Sequence, residues 1–358
     1  MSYVCKQTNL YRFVTEFMNL SQNIEALHYL GSHIAGLSDD ELDEWCARAR
    51  NENPWFIPAF SKMALKGISE WLNREKLNEW TAMYGTFDGA EKTVGLVLAG
   101  NLPLVGFHDL LAVLLSRNKA MVKLSSQDSV LMKLVIDALF EIEPLFRQRI
   151  SLVERLAKMD AVIATGSDNS SRYFDYYFSK YPHIIRKNRT SVAILNGHES
   201  KEDLERLHDD VFLYFGLGCR NVSKIFVPQA YDWIPFIESG QKYIEQITHH
   251  KYVNNYDYNK SVYLVNRIPH LDSGFFMLKE DEGLVSPLSV IFYESYESPN
   301  ALQQKLAEQK DKIQCIVSQS GLVKNEVPFG QAQFPGLADY ADGIDTMVFL
   351  SEIKQQKA

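Results

Sequence analysis

The hydrophobic pattern of the chain changes character near residue 92. Before it, Leu10, Phe13, Val14, Phe17 and Met18 recur at helical spacing, and an aromatic-rich segment from Trp55 to Trp80 continues in the same style. Positions three and four apart share one helix face, so the first 90 residues read as helices with their aromatic stripes serving packing. From Lys92 onward, short apolar runs alternate with helical patterns. TVGLVLAG ends at Gly100 and leads through the turn NLP to a helix bearing Leu110, Leu111, Leu114 and Leu115. KAMVKLSS reads as a second strand, with Asp128 positioned to cap a helix whose face is Leu131, Val135 and Leu139. DAVIATGS is a third strand and turn before a helix over 168–180, and SVAIL is a fourth strand. Such alternation predicts a parallel sheet with helices on both faces and ligands beyond the C-terminal strand ends, where the turns NLP, SSQ and TGS lie.

A second αβ stretch begins near Ser200, where Ser200 and Asp203 form a capping box for a helix running toward Tyr214. Strands are predicted at SKIFVP, SVYLV, GFFML, LSVIFYE and IQCIVS, and a last one near TMVFL after the turn-rich FGQAQFPGLADYADG. The expected fold class is α/β: two αβ domains with mostly parallel sheets, preceded by an N-terminal helical segment. The boundaries are 1–195 for the helices plus a dinucleotide-binding domain, 196–330 for a catalytic domain, and 331–358 for a C-terminal return segment.

Composition narrows the function classes. A length of 358 residues suffices for two cores. A net charge of −8 argues against general affinity for nucleic acid or anionic membrane, which reward clustered cations. The longest apolar stretch, Val94 to Leu115, is interrupted by Asn101, Pro103, His108 and Asp109, so it reads as strand, turn and buried helix rather than a membrane span. The start, MSYVCKQTNLYRF, lacks the basic residues and apolar run of a secretory signal. With Cys5, Cys46, Cys219 and Cys315 widely scattered, free thiols in a reducing cytoplasm are expected. No metal site is expected, because no Cys-x-x-Cys or His-x-x-x-His pair occurs.

The segment GLGCRNVSKIFV carries the most chemistry. Cys219 follows two glycines and precedes a strand, with Arg220 beside it. Glycines allow tight backbone paths that can aim amide hydrogens at a reacting oxygen, and a nearby cation favours the thiolate. On its residues alone, Cys219 reads first as a buried structural cysteine, and as a nucleophile only second.

Four segments, in order, resemble the aldehyde dehydrogenase superfamily, and more closely its acyl-CoA reductase branch of LuxC type: GNLPLVGFHDLLAVLLSRNKAMVKLSS, DAVIATGSDNSSR, GLGCRNVSKIFV and SPLSVIFYES. The resemblance spans roughly residues 92 to 295. It implies that Cys219 is the nucleophile and that Asn101 supplies a side-chain amide to the oxyanion hole. It further implies that Lys123, Ser125, Ser126, Gly166 and Ser167 contact a nicotinamide dinucleotide. Where NAD-preferring relatives often carry a glutamate, this chain has Ser125 and Ser126, so the expected cofactor is NADPH, with NADH the alternative.

Two departures matter. Hydrolytic relatives carry a water-activating glutamate just before the strand matching SVAIL, whereas here YPHIIRKNRTSVAIL contains Arg186, Lys187 and Arg189 and no carboxylate. Without that base an acyl-enzyme resists water and exchanges with another thiol, which points to a coenzyme A thioester substrate. The basic cluster itself reads as an anion site or as a solvated loop. Gly283 also stands where larger relatives bind ribose with a glutamate, four residues before Pro287. The expectation is NAD(P)H-dependent reduction of an acyl-CoA to an aldehyde, with His108 and His198 as candidate proton donors. The alternatives are an acyl phosphate or acylated partner protein as donor, a hydrolytic dehydrogenase, and a non-catalytic relative that binds a nucleotide or partner. A homo-oligomer is compatible with this reading.

Overall fold

The structure is a computed structural model that describes residues 18–166, 168–244 and 248–355. The expected apolar face from Leu10 to Phe17, together with Cys5 and Ser167, lies outside the described residues. Four helices come first: α1 (Leu20–Ala35), α2 (Asp39–Glu52), α3 (Pro58–Trp71) and α4 (Arg74–Ala82). Capping boxes at Asn19/Gln22 and Ser38/Glu41 start α1 and α2 by satisfying backbone amides that have no partner inside the helix.

Beyond them the chain builds two sheets. The first carries β1 (Thr93–Val97), β2 (Lys119–Lys123), β3 (Ile150–Leu152), β4 (Ala161–Thr165) and β5 (His183–Arg186), in the spatial order β3-β2-β1-β4-β5 and parallel throughout. Helices α5 (Phe107–Leu115), α6 (Val130–Ile142) and α7 (Asp168–Phe178) make its crossovers. The second sheet comprises β6 (Thr190–Ile194), β7 (Val222–Pro228), β8 (Leu271–Asp272), β9 (Met277–Glu280), β10 (Val290–Tyr296) and β11 (Ile313–Val317), in the order β11-β6-β7-β10-β9-β8. Only the short β8–β9 pair is antiparallel. The helices here are α8 (Lys201–Phe212), α9 (Ile234–Ser239), α10 (His250–Val265) and α11 (Pro299–Glu308), and α12 (Thr346–Gln355) closes the chain. The α/β class, the leading helices and the two mostly parallel sheets agree with the sequence reading. So does the Ser200/Asp203 capping box. Among the described residues no helix is long and apolar enough to cross a membrane.

Four local expectations are corrected. SVAIL is not the fourth strand of the first sheet; as β6 it lies between β11 and β7, so the chain changes sheets at 187–189. SVYLV is the end of α10 rather than a strand: Tyr252, Tyr256, Asn259 and Tyr263 are buried at helical spacing, and that longer period overrides the β-branched run. TMVFL is helical too, with Met347, Leu350 and Ile353 buried on one face. Its start is capped by the Asp345 carboxylate, which accepts from the N–H groups of Met347 and Val348 at 3.0 Å each.

The fourth correction concerns Asp128, which does not cap α6. Its carboxylate turns inward to accept the Leu104 N–H at 2.7 Å, and burial pushes its pKa up to about 8. The cap comes from a distant element. Glu52, at the end of α2, accepts the N–H groups of Ser129 and Val130 at 2.9 Å each, and the Ser129 hydroxyl as well. A carboxylate there satisfies free amides and meets the positive end of the helix dipole. Replacing Glu52 with alanine should therefore cost about 1–2 kcal/mol of stability, read from urea unfolding. An unchanged midpoint would show that water caps α6 equally well.

Candidate active site

Cys219 sits in the loop that feeds β7, and that loop is held in an uncommon conformation. Tyr214, Phe215 and Gly216 are consecutively left-handed, at φ 55°, 57° and 76°. For the two residues with side chains this costs roughly 1–2 kcal/mol each, so surrounding contacts must impose it. Two sets of contacts do. Phe60 of α3 packs on both rings, 5.1 Å from Tyr214 and 5.0 Å from Phe215, and Trp55 lies 5.2 Å from Phe215. On the other side, Asn221 donates its amide to the carbonyls of Asp210, Val211 and Leu213 at 2.9–3.3 Å, while its carbonyl accepts the Gly218 N–H at 2.8 Å. A Cβ at Gly218 would come within 2.9 Å of Leu102 and 3.0 Å of Asn221. A side chain there would have to push back Leu102 or the Asn221 amide that ties the loop.

The partner loop is the turn after β1. The Asn101 side-chain amide donates to the Leu217 carbonyl at 3.0 Å, two residues before Cys219. The structure therefore ties Asn101 to the loop that carries Cys219, from segments 118 positions apart in the chain. Asn101 itself is exposed, and its neighbour Leu102, not Asn101, lines the same cavity as Cys219. One amide hydrogen is spent on Leu217, and the amide has a second one to donate. Below Cys219, Ser191 of β6 donates to the Cys219 carbonyl at 3.0 Å and lies 3.0 Å from the Cys315 sulfur. Cys46, Cys219 and Cys315 are all free thiols.

Cys219 opens into a cavity of about 530 Å³, within the range of small-molecule sites. Its walls come from α3 and α4 (Met63, Ala64, Ile68, Trp71, Trp80), from the turn 102–105, and from the loop 333–341. Exposed Glu70, Lys76, Glu79 and Met83 form the solvent-side rim. The aromatic segment from Trp55 to Trp80 thus does more than pack: Trp71 and Trp80 face the site. Their helical spacing gave no means of separating cavity wall from core. His108 lies among Trp71, Trp80 and Tyr340, and is 2.9 Å from the Leu337 carbonyl through Nε2. Burial lowers its pKa, so it is a neutral ring in the cavity wall. The other candidate donor, His198, lies beyond the C-terminal end of β6, whereas Ser191, at the opposite end, is the residue that meets Cys219. Four residues of strand, about 13 Å, separate Ser191 from Leu195 alone, so His198 is remote.

The basic cluster of the β5–β6 link is not a solvated loop. Arg186 is buried, pairs with buried Asp109 of α5, and donates to Thr346 Oγ1 at 2.8 Å. Arg189 pairs with Asp342 at 3.2 Å, and only Lys187 is exposed. Arg186 and Asp109 line the cavity with Cys219. A fixed guanidinium therefore stands at the end of β5. The carboxylates lining the cavity are Asp109, held by Arg186, Asp339, which accepts the Gly336 N–H at 2.7 Å, and Glu70 and Glu79 on the rim.

Lys123, Ser125, Ser126 and Gly166 do not line this cavity. They sit at the C-terminal ends of β2 and β4, flanking the turn that carries Asn101. The β1 and β2 turns press together so tightly that a Cβ at Gly100 would meet Ser125 Oγ at 2.4 Å. Lys123 and Ser126 are exposed, and Lys123 has no ion-pair partner among the described residues. A small-residue floor, an unpaired cation and the end of a parallel sheet fit a phosphate-bearing dinucleotide. No group of three or more His, Cys, Asp or Glu that could hold a metal occurs among the described residues.

The electrostatics of Cys219 differ from the sequence expectation of a favoured thiolate. Burial pushes the thiol pKa above its ordinary value; Arg220 opposes this, and Asp342 and Cys315 add to the rise. Because iodoacetamide reacts with the thiolate, its rate at Cys219 should keep climbing past about pH 8.5, where an ordinary thiol levels off. Arg220→Gln should slow it further at neutral pH. Peptide-resolved alkylation across pH 6–10 measures this, and a plateau below pH 8 would show an already stabilised thiolate.

Residues 64–252, more than half of the chain, match the family described as acyl-CoA reductase (LuxC). Solved structures with the same fold include aldehyde dehydrogenase 21 from Physcomitrella patens in complex with succinate, at TM-score 0.68 and 11% identity, covering 94% of this chain and 85% of that one. A NAD-dependent benzaldehyde dehydrogenase from Corynebacterium glutamicum gives TM-score 0.63 at 9% identity, covering 85% and 77%. An aldehyde dehydrogenase from Bacillus cereus in complex with NAD+ gives 0.58 at 11%, covering 84% and 72%. At these identities the likeness shows the fold. A search of curated proteins gives no match.

Proposed function

The chain belongs to the acyl-CoA reductase (LuxC) family and has the aldehyde dehydrogenase fold, and on that premise we propose that it reduces an acyl-CoA to an aldehyde through a covalent Cys219 acyl-enzyme. The observation that carries this reading is Cys219, in the loop that the Asn101 amide holds at Leu217, opening into an apolar cavity where buried Arg186 stands at the end of β5.

In the first step Cys219 Sγ bonds to the acyl carbon and the bond to the coenzyme A sulfur breaks. The proton lost by Cys219 ends on the departing thiol. Negative charge builds on the carbonyl oxygen, and the second Asn101 amide hydrogen and the Cys219 N–H receive it, each donor worth about 3–4 kcal/mol of barrier. With no carboxylate in the segment before β6 to activate water, the thioester survives long enough to be reduced. When bound, the reduced nicotinamide supplies hydride for the acyl carbon. The same two donors hold the second oxyanion, and as the carbonyl re-forms, Cys219 Sγ leaves and takes a proton from solvent.

Lys123, Ser125, Ser126 and Gly166, with Ser167 beyond the described residues, form the dinucleotide side. The absence of a carboxylate at Ser125 and Ser126 leaves a 2′-phosphate unrepelled, so NADPH is the proposed cofactor ahead of NADH. The first sheet then serves the dinucleotide and the second the nucleophile, with the boundary at 187–189 rather than 195 and residues 331–358 returning across the cavity.

Aldehyde formation and coenzyme A release, measured together with acyl-CoA and either cofactor, test the proposal. Cys219→Ala should lose at least about 10³-fold in rate and Asn101→Ala about 10²–10³-fold. Full activity in Cys219→Ala would rule out the mechanism. Aldehyde formation from an acyl phosphate or an acylated protein, without coenzyme A release, would reassign the donor.

A further inference from the structure

Helix α3 contains a glycine that the fold does not require. The contrast is with Gly31 in α1, where an added Cβ would lie 2.7 Å from Leu72 Cβ, so close packing at the end of α3 excludes any side chain. At Gly67 the backbone is not left-handed, and an added Cβ would meet nothing within 4 Å. Inside a helix glycine is less favourable than alanine, so this position gives up stability without a packing reason. What Gly67 does is line the cavity. Met63, one turn before it, and Trp71, one turn after it, line the same cavity, so the empty Cβ position belongs to that wall.

We propose that Gly67 sets how long an acyl chain the site accepts, by keeping open the apolar passage between α3 and the loop 333–338. The inference rests on the acyl-CoA reading above. An acyl group on Cys219 places its carbonyl at the polar end, by Arg186 and Asp109, and its methylene chain must run along the apolar wall. Met63, Ile68, Trp71 and Leu337 flank that wall, and the passage reaches solvent where Met83 is exposed. A methyl at position 67 intrudes little. A bulky side chain there, whose Cβ meets nothing within 4 Å, fills the passage that an extended chain needs and leaves the carbonyl end untouched.

The test is a series at position 67, assayed for kcat and KM over acyl-CoAs of graded length. Gly67→Ala should raise Tm and leave the chain-length profile unchanged. Gly67→Phe should cut kcat/KM for the longest chains by at least about tenfold, chiefly through KM, while the shortest change less than about twofold. An unaltered profile in a folded Gly67→Phe protein would overturn the proposal. A second measurement stands apart from turnover: shielding of Cys219 from iodoacetamide by free fatty acids of graded length. Long chains should shield the native protein and fail in Gly67→Phe. If the native protein reduces no acyl-CoA yet shielding shifts as expected, the reductase reading falls and the role of Gly67 stands. Shielding that does not depend on residue 67 overturns it.

Discussion

The site depends on a backbone path that the local sequence does not favour. Tyr214 and Phe215 take left-handed conformations before Gly216, and without them the chain leaving α8 could not turn sharply enough to enter β7 with Cys219 facing the cavity. Phe60 and Trp55 clamp the two rings from the N-terminal helices, and Asn221 ties the loop to three carbonyls at the end of α8. The leading helices are therefore part of the candidate site in two senses. They hold the Cys219 loop, and through α3 and α4 they build the apolar wall in front of it.

Charge in this centre is arranged to stay internal. Arg186 pairs with Asp109 and donates to Thr346, although its Nε and Asp109 Oδ1 are buried without a hydrogen-bond partner. Arg189 pairs with Asp342, and Arg220 donates through Nε to the Ala332 carbonyl at 2.5 Å. Buried pairs of this kind add little net stability, but removing one member strands the other in a medium that solvates it poorly. Their effect on Cys219 is mixed: burial disfavours the thiolate and Arg220 favours it. A thiol raised in this way reacts more slowly at neutral pH than an ordinary one, because the thiolate is the reactive form.

The loop 329–341 shows how a turn-rich segment becomes a wall. Asp210 accepts the Gly330 and Ala332 N–H groups at 2.6 and 2.8 Å, Arg220 holds the Ala332 carbonyl, and Trp71 donates to the Pro335 carbonyl at 2.9 Å. Tyr340 accepts from Trp80 at 2.7 Å and lies 2.6 Å from the Tyr84 hydroxyl. Each anchor comes from a different part of the chain, so the loop registers the leading helices, α8 and the Cys219 loop against one another. The hydrogen bonds also satisfy backbone groups that would otherwise be stranded inside.

By itself, the sequence determined the α/β class, the strands around TVGLV, KAMVK, DAVIAT, SKIFVP and LSVIFYE, and the two loops on which the chemistry is proposed to turn, because alternation and glycine-rich turns are local signals. It could not decide which sheet SVAIL joins, since a fully buried strand reads the same in either, nor that SVYLV and TMVFL are helical, since a short β-branched run outweighs a period that shows only over a longer window. Tertiary structure alone revealed that Glu52 caps α6, that Arg186 is buried against Asp109, and that Trp71 and Trp80 face a cavity. Each of these is a contact between segments tens of residues apart or more. Partners at that separation leave no periodicity in the chain, and burial exists only once the layers have closed.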